Sequence, residues 1–180
     1  MIKISNQEAA VLGILYEHHH YAPRIEEIMV KRGMDEWADI EFPSIPHILK
    51  KLEENKLVKI KSRNNDDPSR KVYYITDNGK LVLKQKIKSI LSKKEKIIHP
   101  FDLGLANIHI LQHNEIIKSL ELYLKSIEER IQYLEHSIKV QEENNIPYNF
   151  ISISSRSIPV LKAEKMWIKE FIDEIGGKLK

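Results

Sequence analysis

In the stretch FPSIPHILKKLEEN, residues 42–55, the side chains His47, Lys50, Lys51 and Glu54 stand at i, i+3, i+4 and i+7. On a helix this spacing gathers them on one side, while Ile45, Ile48, Leu49 and Leu52 take the other side and face a core. An imidazole and two ammonium groups on one exposed stripe offer hydrogen-bond donors and positive charge, which is chemistry suited to phosphate oxygens and base edges. Ser44 stands where an N-cap belongs, and Pro46 falls in the first turn, where a missing N–H has no intrahelical partner to lose. Downstream, Arg63, Arg70 and Lys71 stand near the two ends of the turn-forming run SRNNDDPSRK. They are placed to lie along a phosphate backbone, and Tyr73 just beyond them completes the candidate contact set.

Other chemistry is weakly supported. His18, His19 and His20 are consecutive, so they point apart, and no carboxylate or thiolate stands at ligand spacing beside them. They are expected at a helix end, and no metal or cofactor is expected. His109 and His113 are four apart, but no glutamate follows His109 to make a zinc-protease pattern. There is no glycine-rich phosphate loop and no nucleophile elbow, so an enzyme is not expected. With no cysteine, disulfides and thiolate sites are excluded. No window is apolar enough to span a bilayer, and the start MIKISNQEAA lacks a signal-peptide core, so the chain is read as cytoplasmic.

The elements that position the polar stripe are legible on either side of it. Ser5 and Glu8 form a capping box at the head of a first helix carrying Val11, Leu12 and Leu15. A second helix, APRIEEIMVKRG, has Pro23 in its first turn, Ile25, Ile28 and Met29 inward, and Gly33 as its stop. Trp37 is expected in the core or at the mouth between helices. After the third helix, Val58–Ile60 and Val72–Ile75 read as two strands of a hairpin, and Thr76 caps a fourth helix. The net charge is only +3, but Lys56–Lys96 holds 13 basic and 4 acidic residues, an excess suited to a polyanion. Three helices followed by a basic hairpin is the order of a winged helix-turn-helix, whose last helix enters the DNA major groove.

The ordered set of Leu12–Leu15, RG at Arg32–Gly33, Trp37, FPSI, LKKLEENKLV and YYITDNG resembles the N-terminal domain of PadR-like transcriptional regulators. The resemblance spans about Ala9–Lys86, and FDLGLA at Phe101–Ala106 is similar to the start of that family's C-terminal helical region. It implies a homodimeric DNA-binding regulator, usually a repressor, often relieved by a small aromatic or hydrophobic compound. Where many relatives carry tyrosines, this chain has Pro23 and Pro46, which shifts readout onto Ser44 and His47.

The fold expected is therefore mostly α with a small β-hairpin wing. Residues 1–98 form the winged-helix DNA-binding domain and residues 99–180 a helical, coiled-coil-like dimerisation region. In the latter, apolar residues from Leu103 to Ile138 alternate at spacings of three and four along one long helix, interrupted only by His113. The dimerisation set is Ile117, Leu120, Leu124, Ile127, Ile131 and Leu134, with Trp167 and Ile168 from a last helix over roughly Val160–Ile175. That helix either folds back as an antiparallel hairpin or packs on a second chain. Trp167 and Phe171 are the candidates to line an effector pocket. The partners expected are double-stranded DNA with a palindromic operator, a second copy of the chain and a small hydrophobic effector, with no membrane. The competing reading is a winged-helix protein-interaction module that does not bind DNA specifically.

Overall fold

A computed structural model describes residues 2–34, 37, 45–61 and 71–178. In order, the elements are α1 (Asn6–Glu17), β1 (His20–Tyr21), α2 (Ala22–Lys31), α3 (Ile45–Glu54), β2 (Val58–Lys61), β3 (Val72–Ile75), α4 (Asp77–Ser92), α5 (Pro100–Ala106), a 3-10 turn (Ile108–Ile110), α6 (His113–Glu143) and α7 (Tyr148–Lys178). The chain divides into two units, Met1–Lys96 and Ile97–Lys180.

In the first unit the capping box closes as its sequence requires. The Glu8 amide donates to Ser5 Oγ at 3.0 Å, and the Ser5 amide donates to Glu8 Oε2 at 2.6 Å. Gly33 follows α2 with φ +57, the left-handed conformation that ends a helix at little cost to a residue without Cβ. Val11, Leu12 and Leu15 of α1 meet Ile25 and Met29 of α2 and the inner face of α3 in one core. Full burial of each such side chain is worth about 1.5–3 kcal/mol. Trp37 does not join it. The residue is 42% exposed, and its indole N–H donates to the Arg32 carbonyl, 3.3 Å away, one of the oxygens left over where α2 ends.

The sheet is antiparallel in the order β1-β3-β2, so β1, a two-residue strand, adds a third strand to the expected hairpin. His20 pairs with Tyr73, and Val58, Lys59, Ile60 and Lys61 pair with Ile75, Tyr74, Tyr73 and Val72. Between α3 and β2 the chain turns through Lys56, whose φ is +56. The Leu57 amide donates to Leu52 O at 2.8 Å and the Lys56 amide to Glu53 O at 2.8 Å, the paired bonds of a Schellman ending. Lysine is strained there by about 1–2 kcal/mol. Lys56→Gly is therefore expected to raise stability by about 0.5 kcal/mol after glycine's larger unfolded-state entropy is deducted. Thermal unfolding checks this as a small rise in midpoint.

The second unit is a helical hairpin. The Tyr123 hydroxyl donates to Glu164 Oε1 at 2.7 Å, Lys165 Nζ lies 2.7 Å from Glu128, and Lys162 Nζ lies 3.3 Å from Glu135. Only residues 144–147 join α6 to α7, and the two helices share one apolar core, so they are antiparallel. Burial of the Tyr123 phenol, its bond to Glu164 and the nearby carboxylate charges push its pKa up to about 12. Of the two destinations the sequence leaves open, the apolar seam takes the one within the chain.

Two expectations are corrected here. The seam is not one continuous helix: α5 ends at Ala106, and α6 begins afresh at His113 with a capping box between Gln112 and Glu115. The last helix also starts at Tyr148 and not near Val160, with Pro159 inside it. A proline within a helix costs about 3 kcal/mol. Ile158, Leu161 and Phe171 of α7 pack on the buried cluster of Leu120, Ile127, Ile131 and Ile168, and that packing opposes the cost. Ser152 and Ser157 hydroxyls fold back to the carbonyls of Tyr148 and Ile153, so the serine run is compatible with helix.

Candidate nucleic-acid interface

α3 presents two faces. Ile45, Ile48, Leu49 and Leu52 are buried, while Pro46, His47, Lys50, Lys51 and Glu54 are exposed. His47 and Lys50 thus stand on solvent, as the periodicity predicts. Lys51 stands there differently. Its ammonium lies 2.9 Å from Glu8 Oε1, with the Lys51 side chain 54% exposed and that of Glu8 only 4%. Burial alone would raise the Glu8 pKa, but the hydrogen bonds from Lys51 and Ser5 and the lysine's charge outweigh it, and the carboxyl stays below the usual glutamate range. Glu53 and Glu54 are the carboxylates closest to Lys51 along the chain. The real partner is 43 residues earlier, on α1.

The wing contributes a second basic surface. Ser44, Arg63 and Arg70 lie outside the described residues. Lys71 is half-buried at the start of β3. Period-two alternation separates the two sides of the hairpin. Val58, Tyr73 and Ile75 pack on the core, so Tyr73 is turned away from the outer side, and burial pushes its phenol pKa up. Tyr74 takes the outer side instead, opposite Lys59 across the ladder. The Lys61 ammonium lies 5.3 Å from the Tyr74 ring centroid, and His19 stacks on that ring at 4.6 Å with planes 14° apart. Tyr21, 44% exposed, pairs with Val72 on the same side of the sheet. Lys59, Lys61 and Tyr74 share the outer side, which reading the loop residues alone misses; alternation along VKIK and VYYI is the signal that finds them, while His19 joins them only through its stack on Tyr74.

The histidine triplet has a structural use. His18 closes α1, its amide donating to Ile14 O at 3.2 Å, and His20 enters the sheet. Burial, then the positive charges of Arg24 and the flanking histidines, hold His20 below its ordinary pKa, so it is neutral at neutral pH. No group of three or more potential metal ligands occurs among the described residues. Nor is any described helix long and apolar enough to cross a membrane.

In the second unit, Leu120, Ile127, Ile131, Leu134 and Ile168 are buried within the chain, and Ile117 and Leu124 are half-buried. These residues hold the hairpin together. Trp167 remains 42% exposed. It stacks on Phe171 at 5.0 Å, and Phe101 stacks on Tyr123 at 4.5 Å. An apolar pocket of about 240 Å³ opens between α5, the 3-10 turn and α6, walled by Phe101, Leu105, Ile108, Ile116, Leu120 and Tyr123. Trp167 and Phe171 are not among its walls.

Comparison with known proteins agrees with this architecture. Residues 11–85 match the family described as "Transcriptional regulator PadR-like family". No curated protein matches the sequence significantly. Among solved structures, the chain is similar to Bacillus subtilis PadR in complex with operator DNA, at 17% identity and TM-score 0.72, over 93% of this chain and 98% of that one. It is also similar to the same protein in complex with p-coumaric acid, at 18% identity and TM-score 0.74, over 97% and 99%. The PadR-like regulator BC1756 from Bacillus cereus is 20% identical with TM-score 0.67, over 96% and 99%. At these identities the structural likeness establishes the fold. Residues 11–85, which carry the winged helix-turn-helix, thus match the PadR-like family, and the chain as a whole shares the fold of PadR-like regulators.

Proposed function

We propose that the chain binds operator DNA as a homodimer and represses transcription until a small hydrophobic compound releases it. The observation that carries the DNA reading is α3: an amphipathic helix that buries four apolar residues and leaves His47 and Lys50 on solvent, followed by a hairpin with Lys59 and Lys61 on its outer side. His47 and Ser44 are assigned to base edges in the major groove, and Lys50 and the wing, with Arg63, Arg70 and Lys71, to phosphates. Bacillus subtilis PadR, solved with operator DNA and with p-coumaric acid, supports both partners by analogy.

Residues 1–98 serve as the DNA-binding domain and residues 99–180 as the dimerisation region. Support for dimerisation comes from apolar side chains that one chain leaves exposed on α6 and α7, among them Leu122, Tyr133, Val160, Met166 and Trp167. Exposed apolar side chains of this kind offer an interaction surface. The core of the hairpin is already filled, so a second chain meets these outer residues and not Leu120, Ile127 or Ile131. A two-fold dimer presents two copies of α3 about one helical turn of DNA apart, which calls for a palindromic site and puts the chain in the cytoplasm with its DNA. The pocket beside Phe101 and Tyr123 offers the apolar walls a hydrophobic effector needs.

An electrophoretic shift with a duplex from the protein's own upstream region, challenged with scrambled duplex, tests the reading. A retarded complex that only the specific competitor displaces is expected, with a mass of two chains per duplex. Equal displacement by either competitor favours the protein-interaction module.

A further inference from the structure

Glu8 is the one buried polar residue among the described residues, and the proposed function leaves it unused. Its two oxygens are divided between two elements. Oε2 accepts the Ser5 amide at 2.6 Å and so caps α1; Oε1 lies 2.9 Å from the Lys51 ammonium on α3. The last turn of α3 is tied down beside it, since the Lys51 carbonyl accepts from the Asn55 amide at 3.1 Å and from its side chain at 2.9 Å. A buried carboxylate stripped of its partner is far costlier than an exposed one. Lys51 therefore has more to lose by leaving Glu8 than one phosphate contact returns.

We propose that Glu8 is a positioning residue for DNA recognition: it keeps the Lys51 ammonium on the protein, so that α3 offers Lys50 and His47 to DNA and withholds Lys51. The proposal rests on the DNA-binding reading above. In the periodic pattern Lys50 and Lys51 are equivalent cations; the Glu8 contact makes them unequal. Glu8 thereby lowers the number of phosphates neutralised by one per chain and fixes α3 against the head of α1.

The test is the salt dependence of binding, measured with the full chain and a mixed-sequence duplex, where the electrostatic contribution dominates. Wild type is expected to show a steep slope of log affinity against log salt. Lys51→Met is expected to keep that slope. Glu8→Gln retains a side chain able to reach back to the Ser5 amide but carries no charge. It is expected to free Lys51 and steepen the slope by about 0.9 per chain. Glu8→Gln with Lys51→Met is expected to return to the wild-type slope. The comparison of Glu8→Gln with the double variant decides even where Lys51→Met alone does not fold, because neither of those two buries an unpaired charge. A purely structural Glu8 would weaken binding at every salt concentration without moving the slope. A Glu8→Gln slope equal to wild type, or a Lys51→Met slope shallower by about 0.9, overturns the proposal. A wild-type slope near zero overturns instead the DNA reading on which it stands.

Discussion

Gly79→Ala is expected to destabilise the first unit severely, although alanine is the better helix former almost everywhere else. Gly79 is buried in the first turn of α4, where its amide donates to the Thr76 hydroxyl at 3.0 Å. The Thr76 amide in turn donates to the Leu57 carbonyl at 2.9 Å, drawing the head of α4 against the turn after α3. A methyl group on Gly79 would overlap the Leu57 carbonyl oxygen and sit 2.9 Å from Ile75 Cγ1. The obstacle is backbone already held by a hydrogen bond, so it cannot rotate away as a side chain tip can. Ordinary overpacking costs about 1–3 kcal/mol, and this overlap is expected at or above the top of that range, against a total stability of about 5–15 kcal/mol. Thermal unfolding of the first unit's transition should show a midpoint lower by roughly 10 °C or more. A midpoint equal to wild type, or higher as for a normal helical Gly→Ala, would show that α4 does not approach Leu57 this closely.

The second large effect concerns binding. Replacing Lys50, Lys59 and Lys61 together with alanine is expected to make the salt slope shallower by about 2.7 per chain, about 0.9 for each phosphate no longer neutralised. All three are exposed, on α3 or on the outer side of β2, so their removal leaves the core intact. The weakening should be uniform across sequences, because phosphate contacts position the protein without reading bases. His47→Ala makes the contrast: it should reduce discrimination between sites and leave the slope nearly unchanged. Circular dichroism separates either effect from unfolding. A triple variant with the wild-type slope would remove the wing and α3 from the interface.

The parts legible in the sequence are those governed by local rules. The capping box of Ser5 and Glu8, the stop at Gly33, the buried face of α3 and the cap at Thr76 all follow from neighbours close in the chain. What the sequence hides depends on distant partners. β1 is two residues long, too short for any alternation to announce it, and exists because β3 has a free edge. Glu8 reads as a capping residue, and only the folded unit brings Lys51 to its second oxygen. The seam from Leu103 to Ile138 keeps its spacing in the sequence across the break at residues 107–112, although Leu111 and Gln112 are extended there and Leu103 and Ile110 are left exposed. The signal that marks the break is QHNE, a capping box in the middle of an apolar pattern. Serines and Pro159 obscure the start of α7, since their poor helix propensity is overridden by packing against α6.

The measurement closest to the central claim is the affinity of the purified chain for a duplex from its own upstream region, against a scrambled duplex, titrated from low to moderate salt. The account predicts tighter binding to the upstream duplex at every salt concentration, with affinity falling steeply and linearly on logarithmic axes. Weak binding, equal for both duplexes and indifferent to salt, would contradict it and leave the winged helix as a surface for another protein.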